Sequence, residues 1–178
     1  MSLKPVDDAP DASGALSGPA SLDDTGDGMV GQLIALVPNA VRLAMLMGLS
    51  ADEAADAVQD ATIHAWRRYG QLRGPLAPWF LSIVRRRALR TRRWLTIPAV
   101  WGGAPDQWPR DSGWDLEMVT ALRALPARQR AALWLRYGLD MSTADVARAL
   151  GTSEASAKQL LLRARVGARS RLQMEAGA

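Results

Sequence analysis

Three groups of polar side chains in this sequence have spacings that could support recognition chemistry. Glu53, Asp56, Gln59 and Asp60 are three, three and one residues apart. On a helix they share one face, because residues three and four apart are neighbours. Nothing nearby supplies a base or further ligands, so neither catalysis nor metal binding is indicated. The acids suit a docking stripe for a basic partner. A solvated face is the plain alternative, since acids near a helix N-terminus also gain from the helix dipole. The second group is the run PWFLSIVRRRALRTRRW, with six arginines between Arg85 and Arg93. At about 100° per residue, Phe80, Val84 and Ala88 form a core stripe. Arg86, Arg90 and Arg93 lie roughly opposite, with Trp79 in line. Guanidinium groups grip phosphate bidentately, and aromatics beside them stack on unpaired bases. A solvated basic face with Trp79 in the core is the alternative. No acid along this helix offers a partner. The third group lies in MSTADVARALGTSEASAKQLLLRARVGARSRL. A short helix, a turn at Gly151 and a longer helix capped by Ser153 make a helix-turn-helix pattern, with an ordinary helical hairpin as the alternative. Glu154, Ala155, Ser156, Lys158, Gln159 and Arg163 face outward, where they reach base edges and phosphates.

Composition narrows the chemistry. There is no cysteine, and His64 is the only histidine. Disulfides and Cys-based zinc sites are excluded, and a His-based triad is disfavoured. No metal or cofactor is expected. The net charge of +4 conceals an asymmetry. Residues 1–27 hold six acids against Lys4, a net of −5, and the remainder carries +9. A basic body suits a polyanionic partner, usually nucleic acid. The apolar runs are read as shorter than the roughly 20 residues that span a bilayer. The acidic N-terminus does not resemble a signal peptide, and a cytoplasmic protein is expected.

The elements that must position these groups are helical throughout. Residues 1–28 are rich in Asp, Ser, Gly and Pro and read as a disordered acidic tail. Helix one is expected over about 29–47, with Leu33, Val37, Ala40, Ala44 and Met47 on its core face and a kink at Pro38. Ser50-Ala51-Asp52-Glu53 is a capping box that starts helix two, expected to run to about Tyr69. Ala54, Val58, Ala61 and Ala65 face the core. Gly74-Pro75 breaks the chain before helix three, 76–94. Residues 95–114 hold three prolines and three glycines and read as a linker. Beyond it, helices are expected over 116–125, from Pro126 to about Gly138, from the Ser142 cap to Leu150, and from the Ser153 cap to about 172. Residues 174–178 are a short tail. No run alternates like a strand, so the fold class is all-α. Two small helical domains, 29–94 and 115–173, are expected on a flexible tether.

The three groups in this order resemble the extracytoplasmic-function group of bacterial RNA polymerase sigma factors. SADEAADAVQDATIHAWRRYGQLRGPLAPWFLSIVRRRAL is similar to the family's region two, which pairs a D-A-V-Q-(D/E) helix with an R-G…W helix. ALRALPARQRAALWLRYGLDMSTADVARALGTSEASAKQLLLRAR is similar to region four, with its L-P…Q-R…A-L-G-x-S…K…R-A-R pattern. The resemblance covers about 29–172. It implies that Glu53, Asp56, Gln59 and Asp60 contact the clamp helices of the largest polymerase subunit, with region four on the flap. It implies that Gln71, Leu72, Arg73 and Gly74 help capture an unpaired minus-ten base, and that Trp79, Arg86 and Arg90 line the DNA path nearby. Ser156, Lys158, Gln159 and Arg163, beside Glu154, would read or grip the minus-thirty-five element. Such a factor is not an enzyme. It works by differential binding, needs no ATP, and can answer to an anti-sigma factor. The sequence departs from the pattern at Leu160, where a basic residue is common, and at Arg86-Arg87 in place of R-N. The acidic tail and the tryptophans dotted into the linker, Trp94, Trp101 and Trp108, have no counterpart in the common pattern. A second rival is a helical adaptor that binds acidic proteins and no DNA; the main rival is a helix-turn-helix regulator that does not act through the clamp. It accounts for 115–172 but not for the acidic stripe and the arginine helix.

Overall fold

The computed structural model describes residues 22–94 and 116–176. The N-terminal unit is three helices, α1 (Leu22–Leu46), α2 (Ala51–Arg67) and α3 (Leu76–Trp94), with a 3₁₀ turn at Tyr69–Gln71 before α3. The α1–α2 corner is specified locally. Gly48 takes φ 102°, a conformation that costs a residue without Cβ nothing sterically. The capping box forms in full. Glu53 N donates to Ser50 Oγ at 3.3 Å, and Ser50 N donates to Glu53 Oε2 at 2.8 Å. The buried face of α2 is Ala54, Ala57, Val58, Ala61 and Ala65. These small side chains let α1 and α3 approach closely, so Leu33, Leu43, Phe80, Leu81 and Val84 fill the space between. Each large side chain so buried stabilises the fold by about 1.5–3 kcal/mol.

The second unit is α4 (Leu116–Arg123), α5 (Ala127–Leu133), a π-helical turn at Trp134–Gly138, α6 (Thr143–Leu150) and α7 (Glu154–Ala176). The helix expected from Pro126 to Gly138 is therefore two segments. Widening the last turn buries both Trp134 and Leu135. Gly138 permits this, because a Cβ there would collide with the Trp134 ring. Ser142 caps α6, its Oγ accepting from Asp145 N at 3.1 Å. Gly151 ends α6 in the left-handed region at φ 56° and ψ 49°. Ser153 Oγ then accepts from Ser156 N at 3.2 Å and opens α7.

The two units pack on each other. α3 packs against α6 and α1 against α5, and one apolar core runs through both units. Val146, Ala147, Ala149 and Leu150 of α6 are all buried, because α6 is covered by α7 on one side and α3 on the other. Arg130 is the polar tie at this seam. It is 1 % exposed. Its Nε and Nη2 donate to Leu46 O at 3.2 and 3.0 Å, and its Nη1 donates to Leu125 O at 2.7 Å and Arg123 O at 3.2 Å. The Arg42 guanidinium lies 4.7 Å from the Trp134 ring centre across the same seam. The linker expected at 95–114 lies outside the described residues.

Two expectations about α1 are corrected. The helix starts at Leu22, not 29, so part of the segment read as disordered is helical. Adding residues to a helix already nucleated costs little, and composition alone does not reveal that extension. Residues 1–21 lie outside the described residues. The expectation that every apolar run is too short to span a bilayer is corrected as well. Gly28–Leu46 is 19 residues long with mean hydropathy 1.6, enough by length and composition. Here its Leu33, Ala40, Leu43 and Ala44 are buried, in a helix that packs on α2 and α3.

Candidate nucleic-acid interface

The acidic stripe forms on α2 as its spacing requires. Asp56, Gln59 and Asp60 are exposed, while Glu53 is partly covered and engaged in the cap. The stripe does not stand alone. Glu53, Asp56, Gln59 and Asp60 line a groove of about 480 Å³ whose other wall is Arg87, Arg90 and Thr91 of α3. Arg87 Nη1 lies 3.4 Å from Asp60 Oδ2. No acid lies along α3, but the neighbouring helix supplies one. Arg90 shares this groove with the acids, so it stands between the two surfaces expected from the sequence.

The remaining region-two candidates divide. Arg86 is exposed. Trp79 is half-buried and packs against the core, so only part of its ring is available for stacking. Arg73 is exposed and donates through Nη1 to Leu72 O at 3.3 Å. Gly74 takes φ 86°, which gives the loop at 71–74 its turn. The Arg148 guanidinium of α6 comes within 4.0 Å of the position a Gly74 Cβ would occupy. The second unit thus leans on this loop. His64 lies near the arginines, and its pKa is lowered by burial first, then by Arg68, Arg87, Arg86 and Arg67.

The helix-turn-helix is formed by α6, Gly151 and α7. Val146, Leu150, Ala157, Leu161 and Ala164 are buried, and Glu154, Ala155, Ser156, Lys158, Gln159 and Arg163 are exposed. Lys158 Nζ lies 3.0 Å from Glu154 Oε1. This exposed pair is worth about 0.3–0.5 kcal/mol, little enough for Lys158 to exchange its partner for a phosphate. Ser156, Gln159 and Arg163 line a concavity of about 500 Å³ with Thr152, Ala155, Leu160 and Arg128. Sequence reasoning missed Arg128, which sits on α5 and reaches the start of α7 only through the packing of α5 on α7. It also missed Arg85, which bears on Gly151: a Cβ there would lie 2.5 Å from Arg85 Nη2.

One chain thus carries the exposed, capped helix of a helix-turn-helix beside a unit with an acidic stripe and an arginine helix. The chain matches the family models Sigma-70 region 2 over residues 34–95 and Sigma-70, region 4 over residues 115–166. It belongs to the sigma-70 family, with both regions in the expected order. A probable RNA polymerase sigma factor, RfaY, of Xanthomonas campestris pv. campestris is 30 % identical over 149 residues. That alignment takes in 75 % of this chain but only 37 % of the relative. Two solved structures share the fold. The sigma factor RpoE, in complex with the anti-sigma factor NepR from Bartonella quintana, has a TM-score of 0.67 at 23 % identity, over 83 % of this chain and 98 % of that one. CnrH, in complex with the cytosolic domain of CnrY, has a TM-score of 0.60 at 22 % identity, over 85 % and 94 %.

Proposed function

We propose that this protein is an alternative sigma factor that binds core RNA polymerase and directs promoter-specific transcription initiation in the cytoplasm. The observation that carries the reading is the presence, on one chain, of the α2 acidic stripe and the outward face of α7 within matching region-two and region-four segments. Glu53, Asp56, Gln59 and Asp60 dock on the polymerase clamp. The loop at 71–74, with Arg86 and the open part of Trp79, takes up a base exposed as the minus-ten element opens. Ser156, Lys158, Gln159 and Arg163, flanked by Glu154, engage the minus-thirty-five element, and the second unit rests on the flap. The chain supplies binding energy and specificity, and the polymerase supplies the chemistry. Capturing exposed bases shifts the duplex equilibrium toward the open state without ATP. The structure of RpoE was solved with the anti-sigma factor NepR and that of CnrH with the cytosolic domain of CnrY, which supports an anti-sigma partner here.

The closed arrangement must open for this role. The two promoter elements are about 25 base pairs apart, roughly 85 Å of duplex at 3.4 Å per step. A compact chain of this length has a radius of gyration of only about 16 Å. The Arg130–Leu46 tie therefore breaks when both elements are engaged. Co-purification with core polymerase followed by run-off transcription tests the reading. Specific transcripts that depend on the factor are expected. Binding to DNA without binding to core polymerase would overturn it in favour of an ordinary helix-turn-helix regulator.

A further inference from the structure

Positive charge gathers at the Gly151 end of the seam between the two units. Arg85 of α3 is half-buried, and its Nε is buried with no hydrogen-bond partner among the described residues. Its guanidinium lies against Gly151, whose lack of a side chain makes room for it. Arg128 of α5 is close enough to disfavour the charge on Arg85, after burial and ahead of Arg86. Arg128 also lines the concavity beside Thr152, Ser156, Gln159 and Arg163. Among the described residues none of Arg85, Arg86 or Arg128 pairs with a carboxylate, and Glu154, on the neighbouring first turn of α7, is engaged with Lys158. Burying a cation without a counter-charge is costly, and the closed arrangement brings Arg128 toward one that already has Arg86 beside it on α3.

We propose that Arg85 and Arg128 form a phosphate-binding site across the seam, completed only when the two units are packed together. Two guanidinium groups present paired N–H donors that match the oxygens of a phosphate. The Thr152 and Ser156 hydroxyls and the Gln159 amide add neutral polar groups at its edge. The phosphate comes either from a DNA backbone or from a free oligophosphate. A ligand at this seam favours the closed arrangement, because it binds that state and not the open one. The inference stands apart from the sigma-factor reading, since the free-phosphate arm needs neither polymerase nor promoter.

Thermal unfolding of the full chain at low ionic strength, with inorganic pyrophosphate as the probe, tests the site. Pyrophosphate is expected to raise the Tm by several degrees more than sodium chloride of equal ionic strength. R85Q and R128Q should each abolish that increment, and the double variant should lose no more than either alone. R169Q, on the exposed outer face of α7, should keep it. Without pyrophosphate, R128Q should be at least as stable as wild type, because it relieves repulsion at an exposed position. Titration of a short duplex by fluorescence anisotropy separates the sources. Weaker duplex binding by both R85Q and R128Q assigns the site to backbone phosphate. Duplex binding indifferent to R85Q assigns it to a free oligophosphate. Equal effects of pyrophosphate and chloride, or a full pyrophosphate increment in R85Q, would overturn the proposal.

Discussion

Replacing Arg130 by Met probes the tie between the units, because Met has similar length and reach but no donors. Among the described residues the substitution removes two hydrogen bonds to Leu46 O and one each to Leu125 O and Arg123 O. Leu46 and Leu125 are buried residues, and a buried acceptor left without a donor costs about 1–3 kcal/mol. Two such carbonyls give a loss of roughly 2–6 kcal/mol. Releasing a buried cation offsets part of this, because desolvating a guanidinium costs several kcal/mol. A net destabilisation of about 3 kcal/mol is expected, which is roughly 6–12 °C in Tm for a chain of this size. Arg130→Lys keeps the charge but cannot reach carbonyls in two directions with a rigid fork, so it should recover little. Urea unfolding followed by circular dichroism measures both variants. A change below about 0.5 kcal/mol for Arg130→Met, or near-complete recovery by Lys, would show that the fork does not hold the seam; surface changes of that size are ordinary.

Three other outcomes are expected. Reversing Asp56 and Asp60 to Lys should weaken binding to core polymerase at least about tenfold and leave the circular dichroism spectrum unchanged, since both are exposed; unaltered affinity in a pull-down titration would remove this surface from the docking scheme. Gln159→Ala should relax base preference at the minus-thirty-five element by about 1–3 kcal/mol, whereas Lys158→Ala should weaken all sequences alike and lower the salt slope by about 1; promoter selection and salt titrations distinguish the two. His64 should titrate below its ordinary 6.5 in the folded chain, through burial and then the charges of Arg68, Arg87, Arg86 and Arg67. The folded state then binds fewer protons than the unfolded one, so stability falls as pH drops from about 6.5 through the folded midpoint. An NMR titration should show that midpoint rising with salt, as the arginine charges are screened, and a midpoint at or above 6.5 would contradict the placement.

The helices and their caps are written in local spacing. Ser50 and Glu53, Ser142, Gly151 and Ser153 each act within four residues of their partner, so the sequence alone determines the starts of α2, α6 and α7 and the turn of the helix-turn-helix. The outward residues of α7 and the acidic face of α2 follow from the helical repeat. Family-level resemblance then joins the two segments into one function. What periodicity does not carry is the far side of each face. Ala147 and Ala149 look like ordinary helix formers, yet both are buried, because α3 covers the side of α6 that α7 leaves open. Asp60 and Arg87 are 27 residues apart and meet only because α2 and α3 pack together. Arg130 reaches Leu46 across 84 residues. A guanidinium on a repeat pattern is equally compatible with solvent, phosphate, a carboxylate or a carbonyl. Which of these it meets depends on the elements brought against it in three dimensions. Tertiary packing alone therefore assigned Arg87 to an acid, Arg130 to the seam and Arg85 to a place where its Nε has no hydrogen-bond partner among the described residues.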